Sequence, residues 1–350
     1  MSRRNGTRGK GIASGRGGSP VATMADVARL ANVTTMTVSR ALRTPDKVSQ
    51  DTRERIEKAI RICGFVPNYA ARSLSSQHTP VIVALFPTMM NSVFSGTIEA
   101  ISTHLHDNHY HLLLGQTNFD VVKEEELLAG FIGWRPAGII LTGGLRTSTT
   151  RKLLANADVP VVEVWNKPEH PFDVSVGFSN FSASCEMVRS LHEWGYRRIA
   201  FVSIDAPMND RSLERLEGYR AAVAELGLAS DPALEMKVTF GVHAGREAMR
   251  HVLDDLSDVD AVFASSDTLA VGCLMEALRR GLKVPDDIAV AGFGDVELAA
   301  ELVPSLTTVH VPRVEIGRRA AAILMEKIAG NYDGPTVVDC GFEIVRRLSA

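Results

Sequence analysis

The chain has 350 residues, too many for one small core, so two or three folding units are expected. Hydrophobic residues at 45% and charged residues at 23% describe an ordinary globular protein, and no apolar run approaches the roughly 18 residues of a membrane helix, so no membrane partner is expected. The net charge of −3 hides an asymmetry: residues 1–76 hold fourteen Lys and Arg against five acids, a net +9, which leaves −12 on the following 274 residues.

A basic head on an acidic body points to nucleic acid as the partner. The N-terminus is basic but lacks an apolar segment behind it, so it does not read as a secretory signal, and the cytoplasm is the expected compartment. Cys63, Cys185, Cys273 and Cys340 are scattered, without CxxC or zinc-finger spacing, and read as small buried hydrophobes. No metal and no cofactor is expected.

Residues 1–22 are rich in Gly, Ser and Arg with almost no large apolar side chain, which predicts a disordered basic tail. Its five positive charges suit either weak attraction to phosphates or simple solubilisation. Residues 23–66 then read as three short helices. Thr23 is placed to cap the first, through Ala31, with Val27, Leu30 and Ala31 as its apolar stripe. Asn32 and Val33 make a turn, and Thr34 caps a second helix from Thr35 to Leu42. That helix turns Val38, Ala41 and Leu42 inward and Thr35, Met36, Ser39 and Arg40 outward. Ser49 caps a third helix to Cys63, with Gly64 at its C-terminal end. Two helices joined by a tight turn, the second bearing short polar side chains and an arginine, suit a helix-turn-helix whose second helix enters the major groove. Small helical bundles without DNA function share the pattern.

Residues 67–79 read as a short helix and linker, with Pro67 suited to a first helical turn and Ala70, Ala71 and Leu74 on one face. From Val81-Ile-Val-Ala-Leu-Phe86 onward, apolar runs alternate with amphipathic helices, the first at Ser95 to Asp107. Further strands are expected at 111–115, 138–142, 159–164, 199–204, 235–240, 261–264, 288–293 and 336–345. Helices between parallel strands imply doubly wound sheets, here in two lobes. Fold alone leaves an enzyme open. However, the chain has no GxGxxG after the first strand, no Walker loop, no GxSxG and no HExxH, and His104, His106, His109 and His111 read as a helix and its following loop.

The letters add a specific resemblance. Met24-Ala-Asp-Val-Ala-Arg-Leu-Ala, Val33-Thr-Thr-Met-Thr-Val-Ser-Arg-Ala-Leu, Val48-Ser-Gln-Asp-Thr-Arg-Glu-Arg-Ile and Gly64-Phe-Val-Pro-Asn-Tyr-Ala-Ala-Arg-Ser-Leu closely resemble the headpiece and hinge of the LacI family of bacterial repressors. In the second lobe Gly195-Tyr-Arg-Arg-Ile-Ala, Arg215-Leu-Glu-Gly-Tyr, Ser265-Ser-Asp-Thr-Leu-Ala-Val-Gly, Val284-Pro-Asp-Asp-Ile-Ala-Val-Ala-Gly-Phe-Gly-Asp and Pro304-Ser-Leu-Thr-Thr-Val follow in family order. The resemblance implies a small all-α helix-turn-helix headpiece (23–66) and an α/β two-lobed periplasmic-binding-protein-like core (80–347). Lobe 1 would take about 80–176 and 308–335, lobe 2 about 177–304 and 336–347.

The same resemblance implies a bacterial, cytoplasmic repressor, nucleoid-associated when bound to a pseudo-palindromic double-stranded DNA operator, and acting as a homodimer. A dimer is expected rather than a tetramer because nothing after the last strand resembles the leucine-rich tail that tetramerises some members. Thr35, Met36 and Arg40 would read base edges, and Thr37 and Ser39 would hold phosphates or the groove floor. Asn68, Ala71 and Leu74 would serve in the minor groove, Leu74 as a wedge between base pairs, although packing in a core also suits a leucine. The effector set is Asn91, Phe94, Trp165, Arg215, Ser266, Asp267 and Asp295. Arg215 suits a carboxylate or a hydroxyl pair, and Asp267 suits cleft lining or a helix cap. Many sugar-responsive members carry a second acid where this chain has Gly294. With Phe-Gly-Asp and Asn91-Ser-Val-Phe94, that departure looks like the gluconate-repressor branch, which implies a sugar-acid effector.

Overall fold

The computed structural model describes residues 22–66, 79–89, 93–144 and 146–350. The expected basic tail (but for Ala22), the hinge residues Asn68, Ala71 and Leu74, and Asn91 of the effector set lie outside the described residues. The chain divides into two compact units, residues 1–75 and 76–350.

In the first unit, α1 (Met24–Ala31) begins in a reciprocal cap, with Thr23 accepting from the Asp26 N–H and the Asp26 carboxylate accepting from the Thr23 N–H. Asn32 then adopts a left-handed φ of 52° and turns the chain into α2 (Thr35–Arg43), which Thr34 caps by accepting from the Thr37 N–H. Helix α3 (Gln50–Cys63) ends at Gly64 with φ 64°. Ser49 stands at its cap position without capping it, because its hydroxyl donates to the Thr52 hydroxyl instead. Val27, Ala28, Ala31, Val38, Ile56, Ala59 and Phe65 form the core. Leu30, expected inside, is 50% exposed, and Ala28 takes the inward position. Side chains such as Val27, Val38 and Ile56 contribute on the order of 1.5–3 kcal/mol each through burial. Arg55 on α3 donates to the Ala31 carbonyl and so ties α3 to the end of α1.

The second unit contains two six-stranded sheets among the described residues. The first has the order β11-β5-β4-β3-β1-β2, with β1 (Val81–Phe86), β2 (His111–Gln116), β3 (Gly138–Thr142), β4 (Val161–Val164), β5 (Val174–Gly177) and β11 (Val337–Asp339) all parallel. The second has the order β12-β10-β9-β8-β6-β7, built from β6 (Ile199–Ile204), β7 (Glu235–Val238), β8 (Ala261–Ala264), β9 (Ala289–Gly294), β10 (Thr307–His310) and β12 (Glu343–Val345). Central strands β1, β3, β8 and β9 are apolar and buried almost throughout, as strands covered by helices on both faces must be. The helices are α4 (Ser95–Asp107), α5 (Val121–Ile132), α6 (Ser148–Ala157), α7 (Asn180–Glu193), α8 (Asp210–Glu225), α9 (Val242–Asp255), α10 (Asp267–Arg279), α11 (Glu297–Glu301) and α12 (Arg313–Ile328). None is long and apolar enough to cross a membrane.

Three details depart from the sequence reading. The strand expected over 336–345 is two strands in different sheets, separated at Gly341 with φ 69°. Thr307–His310 belongs to the second sheet and Val337–Asp339 to the first, so the last two crossings between lobes fall at 310–313 and 339–343. Strand β12 runs antiparallel to β10, because the chain returns from the first sheet through three residues with no crossover helix to reverse its direction.

Candidate DNA-reading helix and effector cleft

The second helix of the first unit presents its polar face outward. Thr35, Met36 and Arg40 are exposed, Met36 at 70%, while Thr37 and Ser39 are half-buried. Thr37 is oriented by the Thr34 hydroxyl 2.9 Å away, and Val38 fixes the helix from beneath. The face therefore joins one flexible apolar side chain, a guanidinium and small hydroxyls on a rigid support, a set able to meet base edges and phosphates.

In the second unit a cleft opens beyond the carboxyl ends of strands in both sheets, where doubly wound folds place ligands. It is reached from β1 by Thr88, from β4 by Trp165, from β6 by Ile204, from β8 by Ser266 and from β9 by Phe293. Phe94 and Trp165 meet edge to face at 4.7 Å, and the Trp165 indole N–H donates to the Thr97 hydroxyl. Phe119 from one lobe and Phe240 from the other approach to 6.0 Å. Phe119 and Trp165, which line the cleft, and Asn118 next to them hold left-handed backbone, with φ of 60°, 71° and 56°.

One wall is cationic. Arg215 donates from Nε to the Asn180 Oδ1 (2.8 Å) and from Nη1 to the Ser265 carbonyl (2.6 Å), and its guanidinium lies 3.7 Å over the Phe293 ring. Burial, followed by repulsion from Arg211, pulls its pKa below the ordinary value, yet a guanidinium remains charged. Arg211 sits one turn earlier on α8, buried and paired with Asp210 at 3.1 Å. Burial pushes the Asp210 carboxyl up, but Arg211, the Gly144 N–H (2.5 Å) and the Asn166 amide (3.0 Å) outweigh it and hold it below the ordinary carboxylate range. Since Gly144 and Asn166 belong to the first lobe and Asp210 and Glu214 to the second, these bonds, with Asn166 to Glu214 (3.0 Å), tie the lobes across the cleft.

Of the expected effector residues, Phe94, Trp165, Arg215 and Ser266 line this cleft, and Ser266 also caps α10. Asp267 and Asp295 are not among its lining residues. Asp267 accepts from the Thr308 hydroxyl (2.5 Å) and the Val296 N–H (2.8 Å), and Asp295 is held by Arg347 (2.7 Å) and His310 (2.8 Å). Both carboxylates brace the strands behind the cleft. Arg211, Asn209, Phe119, Phe240 and Phe293 line it and escaped the sequence reading. Arg211 and Arg215 stand four residues apart, a spacing that puts two side chains on one helix face and was a usable signal. Among the described residues no group of three or more His, Cys, Asp or Glu is arranged to hold a metal.

Comparison with known families matches residues 23–68 to the bacterial regulatory proteins of the lacI family and residues 188–350 to the periplasmic binding protein-like domain. The HTH-type transcriptional regulator GntR of Pseudomonas aeruginosa is 36% identical over 329 residues, 93% of this chain and 95% of that protein. The HTH-type transcriptional regulator IdnR of Escherichia coli K12 is 33% identical over 92% of this chain and 96% of its own. A crystal structure of a LacI family transcriptional regulator from Silicibacter pomeroyi superposes with a TM-score of 0.86 at 31% identity, covering 94% of this chain and 99% of that one. All three are regulators of transcription. Identity of this extent along nearly the whole chain, joined to a helix-turn-helix unit and a two-lobed cleft, makes this protein a member of the LacI family of DNA-binding transcriptional regulators.

Proposed function

We propose that the protein is a cytoplasmic repressor that releases or engages a pseudo-palindromic operator in response to a sugar acid, gluconate-like in size, bound between its lobes. Thr35, Met36 and Arg40 read base edges, Thr37 and Ser39 hold the backbone, and Asn68, Ala71 and Leu74 act in the minor groove. A homodimer supplies two headpieces for half-sites about 34 Å apart. Effector binding changes the angle between lobes, and the hinge segment passes that change to operator affinity.

The observation that carries the effector class is the pair of guanidiniums, Arg211 buried and Arg215 half-buried, on one face of α8 beside an aromatic floor. Arg211 is offset by Asp210, whereas Arg215 donates to neutral acceptors, the Asn180 amide oxygen and the Ser265 carbonyl, so a ligand carboxylate would add the charge-assisted partner that a neutral sugar does not bring. The test is a thermal-shift screen of the full chain against sugar acids, sugar phosphates, neutral sugars and nucleosides. A sugar acid should raise the Tm, and Arg215→Ala should abolish that rise. Stabilisation by a neutral sugar or a nucleoside, with none by any acid, would refute the effector assignment.

A further inference from the structure

Beside the aromatic cleft lies a second, smaller space, lined by Thr117, Asp120, Glu124, Thr142, Asn209 and Arg211 among others. Phe119, Asn209 and Arg211 border both spaces, so the annex continues the cleft past the end of α8. The two differ in chemistry. The cleft is aromatic with a cationic wall, and the annex is hydroxylated and acidic, with Asp120 and Glu124 on its far side.

Asn209 marks the junction. It occupies the N-cap position of α8, yet its side chain caps nothing, and its Oδ1 is buried without a hydrogen-bond partner in a residue only 6% exposed. An orphaned buried acceptor carries a cost that a ligand hydroxyl would relieve. Glu124 is buried too; burial raises its pKa, and Arg146 at 3.4 Å opposes that rise.

Resting on the sugar-acid reading above, we infer that the annex is a subsite for the polyhydroxyl tail of an open-chain aldonic acid, with Asn209 Oδ1 accepting one of its hydroxyls. Glu124 is paired with Arg146, which leaves Asp120 as the acid that an anionic end placed in the annex would face, so the carboxylate lies toward Arg215 and the hydroxyls pass Asn209 toward acceptors on Asp120 and Thr117. A pyranose acid, being a compact disc, fills the aromatic cleft and does not extend past Arg211.

The test is calorimetric titration of the full chain with four-, five- and six-carbon aldonates (threonate, xylonate and gluconate) and with ring-forming glucuronate. Affinity should rise along the aldonate series, and gluconate should bind at least about tenfold more tightly than glucuronate, the size expected of one buried acceptor newly satisfied. Asn209→Ala should bring gluconate down to the affinity of threonate while leaving threonate unchanged. Thr117→Val, which keeps the shape of the wall, should act in the same direction. Glucuronate binding as tightly as gluconate, or an Asn209→Ala loss equal at every chain length, overturns the annex assignment alone. Absence of binding by every acid, with binding of a neutral sugar, overturns the sugar-acid reading and the annex with it.

Discussion

Asp267 stands in the first turn of α10 with both carboxylate oxygens occupied and almost no exposure, and burial pushes its pKa from 3.8 up to about 6. The folded state thus holds this proton more tightly than the unfolded chain. The contribution of the group to stability is most favourable below pH 4 and is lost as the pH rises through 6. Asp267→Asn keeps a donor for the Thr308 hydroxyl and an acceptor for the Val296 N–H without the charge. Urea unfolding of both proteins should show the variant gaining on the parent by up to about 3 kcal/mol between pH 4 and pH 7. A gap independent of pH would mean that the carboxyl is not desolvated. The residue was legible as a strand-end acid, and both a cap and a cleft were open to it. What the letters did not carry was Thr308, forty-one positions away, which turns the carboxylate from the cleft into the sheet. Asp295 is diverted in the same way by Arg347 and His310.

Helices α9 and α10 pack so closely that a Cβ on Gly272 would lie 2.1 Å from the Val242 carbonyl oxygen and 2.8 Å from the Arg246 nitrogen, with Gly245 equally tight against the Leu269 carbonyl. Backbone, unlike a side-chain tip, cannot step aside. Gly272→Ala should therefore cost about 1–3 kcal/mol or more by overpacking despite the better helix propensity of alanine. Chemical denaturation would measure this, and a neutral or stabilising result would show that the two helices can separate. At this scale the sequence was most readable where local chemistry decides, as in the caps at Thr23 and Thr34, the stop at Gly64, and the order of strands and helices from Val81 to Phe293. The exceptions were β5, inside that stretch, and β10, neither of which the apolar pattern marked off, and the run from Thr336 to Val345. There the apolar spacing is continuous, but Gly341 turns the chain from one sheet to the other.

Over the whole chain, a basic DNA-reading unit and an acidic sensing unit are joined by residues 67–78, and regulation requires that the two sites exchange free energy. Such coupling is reciprocal. Whatever factor an effector imposes on operator affinity, saturating operator should impose on the affinity for that effector, as titrations with and without DNA would measure. Unequal factors at equilibrium would contradict a single coupled machine. The Asp210 and Glu214 contacts with Gly144 and Asn166 indicate how far apart in sequence the coupled pieces lie: one helix N-terminus in the second lobe holds two loops of the first.

The crossings between lobes also bear on how the protein is made. Five strands of the first sheet precede Gly177 and five of the second precede His310, but the sixth strand of each arrives only between Val337 and Val345. While the chain is emerging from the ribosome, β5 and β10 therefore remain open edges, each ready to pair with a wrong strand. The headpiece needs only residues up to Phe65 to complete its core. Both sheets of the second unit thus receive their sixth strand from one short stretch, Val337 to Val345, long after the residues of the headpiece core have been made.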